Sequence, residues 1–442
     1  MSHTAATVEG DLSKVVLRVA LPAVGSTLLL TFFTAVDTFW VGSYVGSAGL
    51  AAVTTSLFWI WLIISIAEMI SIGLTAVASR RYGERRPEEA AHAAANAIVL
   101  TLLLGAVVAT MGTLALPSIF AWMQTPAQVT GLGMQYLGTY LLGAPLLFGF
   151  FSVDAAFRAS GDTRTPLMLL AASVSVTLVL DPVLILGLLG LPALGIRGAA
   201  IATMVTRSVC FLIGVVILWR RGMLRWRGVD AKLIGTMCRV GAPTAATGVV
   251  FSLIYALVTR TTAHFGTPAI AALGLGHRIE SWLYMIGVGF GAGAAAIVGQ
   301  NLGAGQVERA ERAAWITVGY ASVPALVFFV LALTIPERLA MIFTGDPSVV
   351  GEAANYLRIG AWSELAVCTE VVLESALGGA GHTLSPMLTS TTVTVLRVPL
   401  AAWAAARWGT SGIWWVLTAT AIARGLAMAV IWKRGRWKRR AV

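Results

Sequence analysis

Apolar runs of about 20 residues or more follow one another along almost the whole chain, separated by short polar breaks. A run of that length is what a helix needs to cross the hydrocarbon core of a bilayer. The pattern predicts about twelve such spans, near residues 15–44, 49–80, 93–116, 128–159, 164–190, 195–219, 233–264, 268–299, 310–334, 350–379, 384–406 and 409–433. Several exceed the crossing length, which implies tilt or extension beyond the hydrocarbon. Composition agrees: 57% of residues are hydrophobic and 12% charged, with a mean hydropathy of +0.83, far outside the range of soluble domains. The fold class is therefore an all-α polytopic membrane protein. The first apolar run is too long for a signal-peptide core and is read as a retained first helix.

Charge changes the picture in one respect. The formal net charge of +11 gathers in RRYGERR (80–86), RRGMLRWR (220–227) and KRGRWKRR (433–440), each beside the end of an apolar run. That is the positive-inside pattern, and it argues against a nucleic-acid partner. Arg158 and Arg164 flank the fourth-to-fifth turn on the same side, whereas the opposite loops carry few cations, Arg197 and Arg338 among them. Both termini are expected in the cytoplasm and the protein in the cytoplasmic (inner) membrane. Cys210, Cys238 and Cys368 have no ligand spacing and read as small buried residues.

The chain repeats itself at a nearly constant offset of 220. GSAGLAAV (46–53) returns as GTPAIAAL (266–273), Tyr136 as Tyr356, Asp154 as Glu374, and GDTRTPLM (161–168) as GHTLSPML (381–388). Before the first helix, RVALP (18–22) meets RVGAP (239–243) at 221. Six spans separate equivalent positions, so the copies run in the same direction, a parallel repeat of the kind found in secondary transporters. Two six-helix lobes are expected, 1–220 and 221–442, joined by a basic, mobile cytoplasmic linker at 220–232.

Against this symmetry one half carries acids that the other lacks. Asp37 lies inside the first span, where an acid costs about 3 kcal/mol and is usually functional; its repeat partner is Leu257. Asp181 is followed by Pro182, which cannot donate to the carbonyl of Leu178. A kinked helix then offers a free carbonyl one turn from a carboxylate, which suits a cation, a hydronium-like water or a proton relay. Asp154 stands one turn before Arg158 and is equally an i,i+4 ion pair or a cavity residue. Glu280, Glu370, Trp40 and Trp282 are candidates for contact with transported material or the wall of a second-half cavity, while Glu68 reads as structural. GVGFGAGAAAIVG (287–299) lacks the strand and acidic ribose reader of a dinucleotide site and reads as close helix packing. The absence of HExxH, GxSxG and P-loop motifs excludes ATP-driven transport within this chain and disfavours an enzyme.

With these residues in view the chain resembles the multidrug and toxic compound extrusion (MATE) family. The resemblance is carried by LPAVGSTLLLTFFTAVDTFWVG (21–42), FRASGDTRTPL (157–167), LDPVLILG (180–187), GIRGAAIAT (195–203) and IVGQNLGAGQVERA (297–310). It implies two six-helix lobes around a central cavity and export of lipophilic, often cationic, organic compounds against protons or sodium ions. In the bacterial and archaeal branch the coupling site lies in the N-terminal lobe. Here that site maps onto Asp37, Asp181, Thr203 and Tyr136. The family often has asparagine at the positions of Thr177 and Asp154; threonine supplies one short oxygen in place of an amide carbonyl, which favours H+ over Na+. No cofactor is implied, and no metal beyond Na+ at Asp37 and Asp181.

The expected cycle is alternating access. Asp37 and Asp181 take up a proton or sodium ion from outside, neutralisation favours closure with bending at Pro22 and Pro182, and inward release recharges the site for a cationic substrate. The rival reading is a flippase for lipid-linked oligosaccharides or other lipids, which needs cavity-facing arginines for its pyrophosphate; Arg260 and Arg397 are the ones to check. Nothing in the sequence demands more than a monomer.

Overall fold

The computed structural model describes residues 7–123 and 125–439, without the side chains of Ser47, Phe58, Ser252 and Ala256. Helices account for nearly all of it: α1 Leu12–Tyr44, α2 Ser47–Gly83, α3 Pro87–Met123, α4 Ala127–Ala159, α5 Arg164–Leu186, α6 Ile196–Arg220, α7 Ala231–Ala263, α8 Thr267–Gly303, α9 Val307–Thr334, the short α10 Pro336–Met341, α11 Pro347–Gly360, α12 Glu364–Gly379 and α13 Leu384–Lys433. Helices satisfy every interior backbone group within the segment, the condition for crossing lipid.

Ten helices among the described residues are long and apolar enough to cross a membrane. The expectation of twelve is met through two local features. The fifty residues of α13 are divided at Gly409, whose φ of 61° and ψ of −146° only glycine adopts without strain, so α13 contains two spans. Conversely, α11 and α12 are each too short alone but are joined by a 3₁₀ turn at Ala361–Ser363, where Ser363 Oγ donates to the Gly360 carbonyl at 2.7 Å. Large apolar side chains such as Leu114, Trp122, Met168 and Leu426 stand exposed, as suits a surface in contact with acyl chains.

The chain divides into two compact units, Gly25–Ala242 and Thr7–Val24 with Pro243–Val442. The seams fall inside helices, two residues after Pro22 in α1 and at Pro243 in α7. In unit 1 the start of α7 lies against α2: a Cβ on Gly73 would sit 2.1 Å from the Met237 carbonyl oxygen, and one on Gly241 only 1.7 Å from that of Met69. In unit 2 the start of α1 lies against α8 in the same way, with Gly293 against Ala20 and Gly289 against Val24. The glycines of 287–299 are packing residues, as the sequence suggested. Unit 1 is centred on Phe120, Tyr136, Tyr140, Phe148, Ile196 and Met204; unit 2 on Val258, Leu273, Tyr356, Leu357, Ile413 and Trp414.

The segment after α6 is not the mobile linker that its polar composition suggested. Arg225 and Arg227 both pair with Glu88 at the start of α3, and the Arg225 amide donates to the Ala91 carbonyl at 3.2 Å. Asn96 Oδ1 accepts from the Asp230 amide, and Asp230 Oδ1 accepts from Leu233 N at the start of α7, both at 3.0 Å. The basic residues thus serve as a strap.

Candidate functional site

α1, α4, α5 and α6 of unit 1 carry the acids and their polar neighbours. Asp37 is 5% exposed; its Oδ2 accepts from the Tyr136 hydroxyl at 3.3 Å, and its Oδ1 has no hydrogen-bond partner. Asp181 is fully buried, neither of its carboxylate oxygens has a hydrogen-bond partner among the described residues, and its charge and that of Asp37 act on one another. Buried carboxylates left without donors are costly unless a proton or cation joins them. The Thr203 hydroxyl is also buried and lies beside Tyr140. The Tyr140 ring lies tilted against that of Tyr136, with centroids 5.1 Å apart. Asp37, Tyr136, Asp181 and Thr203 are thus buried polar groups within one another's electrostatic reach, with three carboxylate oxygens that lack a hydrogen-bond donor among the described residues.

Two other members of the expected set are engaged elsewhere. The Thr177 hydroxyl donates to the Ser173 carbonyl at 2.7 Å and shares a 2.7 Å bond with the Thr206 hydroxyl, so it ties α5 to α6. Asp154 forms the i,i+4 ion pair, 2.5 Å from Arg158. Pro22 and Pro182 sit inside continuous helices. Trp40 stacks on Tyr44 with centroids 5.4 Å apart, and its Nε1 is buried without a partner.

Three residues escaped the sequence reading. Tyr140 is one turn from Tyr136, the spacing that puts both on one face of α4. Thr206 is the partner of Thr177. Arg207 is a buried cation in mid-span, held over the rings of Phe150 at 5.2 Å and Phe33 at 5.8 Å, with Asp154 and Tyr140 in its field. A charge in the middle of an apolar run was the available signal.

In unit 2 the Tyr356 hydroxyl donates to Glu280 Oε2 at 2.8 Å. Glu370 is engaged by Arg424 at 3.4 Å and accepts from Ser390 Oγ at 3.3 Å. Trp282 is 38% exposed. Arg260 is exposed, whereas Arg397 is buried and donates from Nε to Thr420 Oγ1 at 2.9 Å. Cys210 and Cys368 are buried, Cys238 is half-buried, and all three thiols are free.

A single family model, described as MatE, matches the chain twice, at residues 22–183 and 243–403. The chain belongs to the MatE family. The two matches also recover the internal duplication, one per half. The chain is 27% identical to the FAD transporter of Shewanella oneidensis, over 94% of this chain and 93% of that protein. It is equally 27% identical to the probable multidrug resistance protein NorM of Thermotoga maritima, over 98% of this chain and 94% of that one. Among solved structures it superposes on a MOP superfamily transporter from Pyrococcus furiosus with a TM-score of 0.90 at 20% identity, covering 99% of both chains. It also superposes on the Vibrio cholerae MATE transporter VcmN in its bent form, with a TM-score of 0.86 at 23% identity, covering 99% of this chain and 98% of that one. At those identities the structural likeness concerns the fold, and the fold is that of a multi-pass membrane transporter.

Proposed function

We propose that this MatE protein is a secondary active multidrug exporter that antiports small lipophilic, often cationic, organic compounds against H+ or Na+. The observation that carries the reading is the buried pair Asp37 and Asp181, with three carboxylate oxygens lacking donors and one tyrosine hydroxyl on the fourth. Such a pair binds a proton or a monovalent cation in preference to remaining doubly charged. Whatever binds there lowers the cost of keeping the site dry, and so favours one conformation over the other. Relatives named as multidrug resistance proteins support the substrate class, and the FAD transporter shows that full-length relatives also carry other names.

In this reading residues 1–220 and 221–442 act as the two lobes, and Asp37, Asp181, Thr203 and Tyr136 form the coupling site. Pro22 and Pro182 permit bending, Pro22 standing two residues before a seam between units. Thr177, bound to Thr206, and Asp154, bound to Arg158, support the site from its edge. The proton is the favoured ion because Thr177 offers its single oxygen to α6. Arg260, exposed, and Arg397, set among acids, give little support to a pyrophosphate cradle, which places a flippase second.

The test is efflux of a fluorescent lipophilic cation from proteoliposomes under a proton gradient or a sodium gradient, each imposed alone. Proton-driven efflux that disappears in Asp37→Asn and Asp181→Asn is expected. Sodium-driven efflux would reverse the choice of ion, and efflux indifferent to both gradients in folded protein would sink the antiport reading.

A further inference from the structure

Unit 2 repeats unit 1 with its charges rearranged. The first part of α13 corresponds to α5 at the offset of 220. Past that helix the register changes: Gly198 abuts the Leu184 carbonyl, and Gly412 abuts the carbonyl of Ala404, the counterpart of Leu184. Gly198 and Gly412 are therefore equivalent, an offset of 214, and Thr206 corresponds to Thr420. The bond between Thr177 and Thr206 in unit 1 then has a counterpart in unit 2, the bond from Arg397 Nε to Thr420 Oγ1. One pair of positions on one pair of helices is linked in both halves, with a threonine hydroxyl in the first and a guanidinium in the second.

The acids are exchanged at the same time. Asp37 and Asp181 correspond to Leu257 and Ala401. Tyr356, the counterpart of Tyr136, gives its hydroxyl to Glu280 on α8, and Glu364, 4% exposed, acts on Glu280 from α12. Arg397, 8% exposed, acts on Glu280 across the cluster, with no ion pair between the two among the described residues. Among the described residues the remaining groups facing this region are Tyr255 on α7, His277 on α8, Cys368, Glu370 and Glu374 on α12, and Arg424 on α13. Arg424 is already committed to Glu370. Arg397 acts on both Glu370 and Glu280, and with Arg424 held by Glu370 it is the cation left for Glu280, whose charge in turn acts on Glu364.

We propose that Arg397 is a tethered counter-cation that holds in unit 2 the charge a coupling ion brings to unit 1, and that it keeps the Glu280–Glu364 cluster from loading a further free cation. A guanidinium stays protonated and cannot diffuse away. Its charge is therefore permanent where that of a coupling ion is transient, and the duplicated fold is left with one exchangeable ion site fewer than its acids would allow. This positioning role rests on the coupling site proposed for Asp37 and Asp181.

The test uses the full chain, purified in nanodiscs, and counts ions taken up: protons by an indicator dye after acid pulses, and sodium by radiolabelled equilibrium binding. In a background of Asp37→Asn with Asp181→Asn, Arg397→Gln is expected to take up about one more cation per chain than the same background with Arg397 intact. Arg397→Lys is expected to gain none, and adding Glu280→Gln to Arg397→Gln is expected to remove the gain. Folded Arg397→Gln protein with no additional uptake, or with a gain that survives Glu280→Gln, would overturn the proposal. If Arg397→Gln fails to fold, rescue of folding by Glu280→Gln supports unbalanced charge as the cause, and failure of that rescue counts against it. Uptake by the parent that is unaffected by Asp37→Asn and Asp181→Asn would sink the unit 1 coupling site alone, because the Arg397 comparison is made with unit 1 held constant.

Discussion

Asp37 and Tyr136 define the finest scale at which this transporter can be tested. Among the described residues the Tyr136 hydroxyl is the one donor on Asp37, and a hydrogen bond to a charged group contributes about 1.5–3 kcal/mol. Tyr136→Phe is therefore expected to slow gradient-driven efflux about tenfold or more, while Asp37→Asn abolishes it; initial rates in proteoliposomes decide both. Thr177→Val removes the bonds to Thr206 and to the Ser173 carbonyl, while the Thr206 hydroxyl keeps the Ala202 carbonyl. It should cost about 1 kcal/mol of stability and leave the choice of ion unchanged. A switch of ion in Thr177→Val would show that this threonine contacts the ion after all. Thr177 also illustrates what a single residue type conceals. The sequence places a hydroxyl one turn from Asp181, but whether it faces the acid or the neighbouring helix depends on a partner 29 residues away.

Helix ends and crossings carry the next set of consequences. Gly241 meets the Met69 carbonyl so closely that any Cβ must displace backbone. Overpacking of that kind typically costs about 1–3 kcal/mol. Gly241→Val should therefore lower the thermal midpoint in detergent, whereas Gly235→Val, where a Cβ meets nothing, should not. The start of α11 is capped by Asp346, whose Oδ1 accepts from Ser348 N at 2.9 Å and Ser348 Oγ at 2.7 Å. These bonds hold the Asp346 carboxyl below its ordinary range. A carboxyl depressed in the folded state stabilises above its unfolded pKa, and that contribution is lost as pH falls through the folded value. Protection of the Ser348 amide, measured against its intrinsic exchange rate at each pH, should accordingly fall under acid conditions, and Asp346→Ala should show the lower protection at every pH.

For the whole molecule, the strap between α6 and α7 is the segment most open to test. Glu88 holds both Arg225 and Arg227, and exposed ion pairs contribute about 0.2–1 kcal/mol each. Glu88→Lys is expected to expose residues 221–230 to trypsin in inverted vesicles several times faster than the parent, with little change in the thermal midpoint. Unchanged cleavage would mean that the backbone bond to Ala91 and the Asn96 contacts suffice. The same experiment on right-side-out vesicles checks the cytoplasmic placement of this face, since cleavage is expected only when that face is outward.

Hydrophobic run length by itself was enough to give an all-α membrane protein, because a bilayer core demands long apolar segments and permits helices. Repetition at one offset was enough to give the duplication, and an acid inside an apolar run was enough to single out Asp37 and Asp181 as buried carboxylates, because a charge in such a run is costly to bury. These properties are local or periodic and can be read along one dimension. The pairing of Tyr136 with Asp37, the diversion of Thr177 to Thr206, the tie between Glu370 and Arg424, and the seams at Pro22 and Pro243 depend on which helices come side by side. Composition could not distinguish a mobile basic linker from a strap, because the difference lies in Glu88 and Asn96 more than 130 residues earlier. Nor could the constant offset show that Arg397 takes the place of Thr177 in bonding to the next helix. The register shifts in the turn at Gly409, and only close packing of Gly198 and Gly412 against their neighbours fixes which positions correspond.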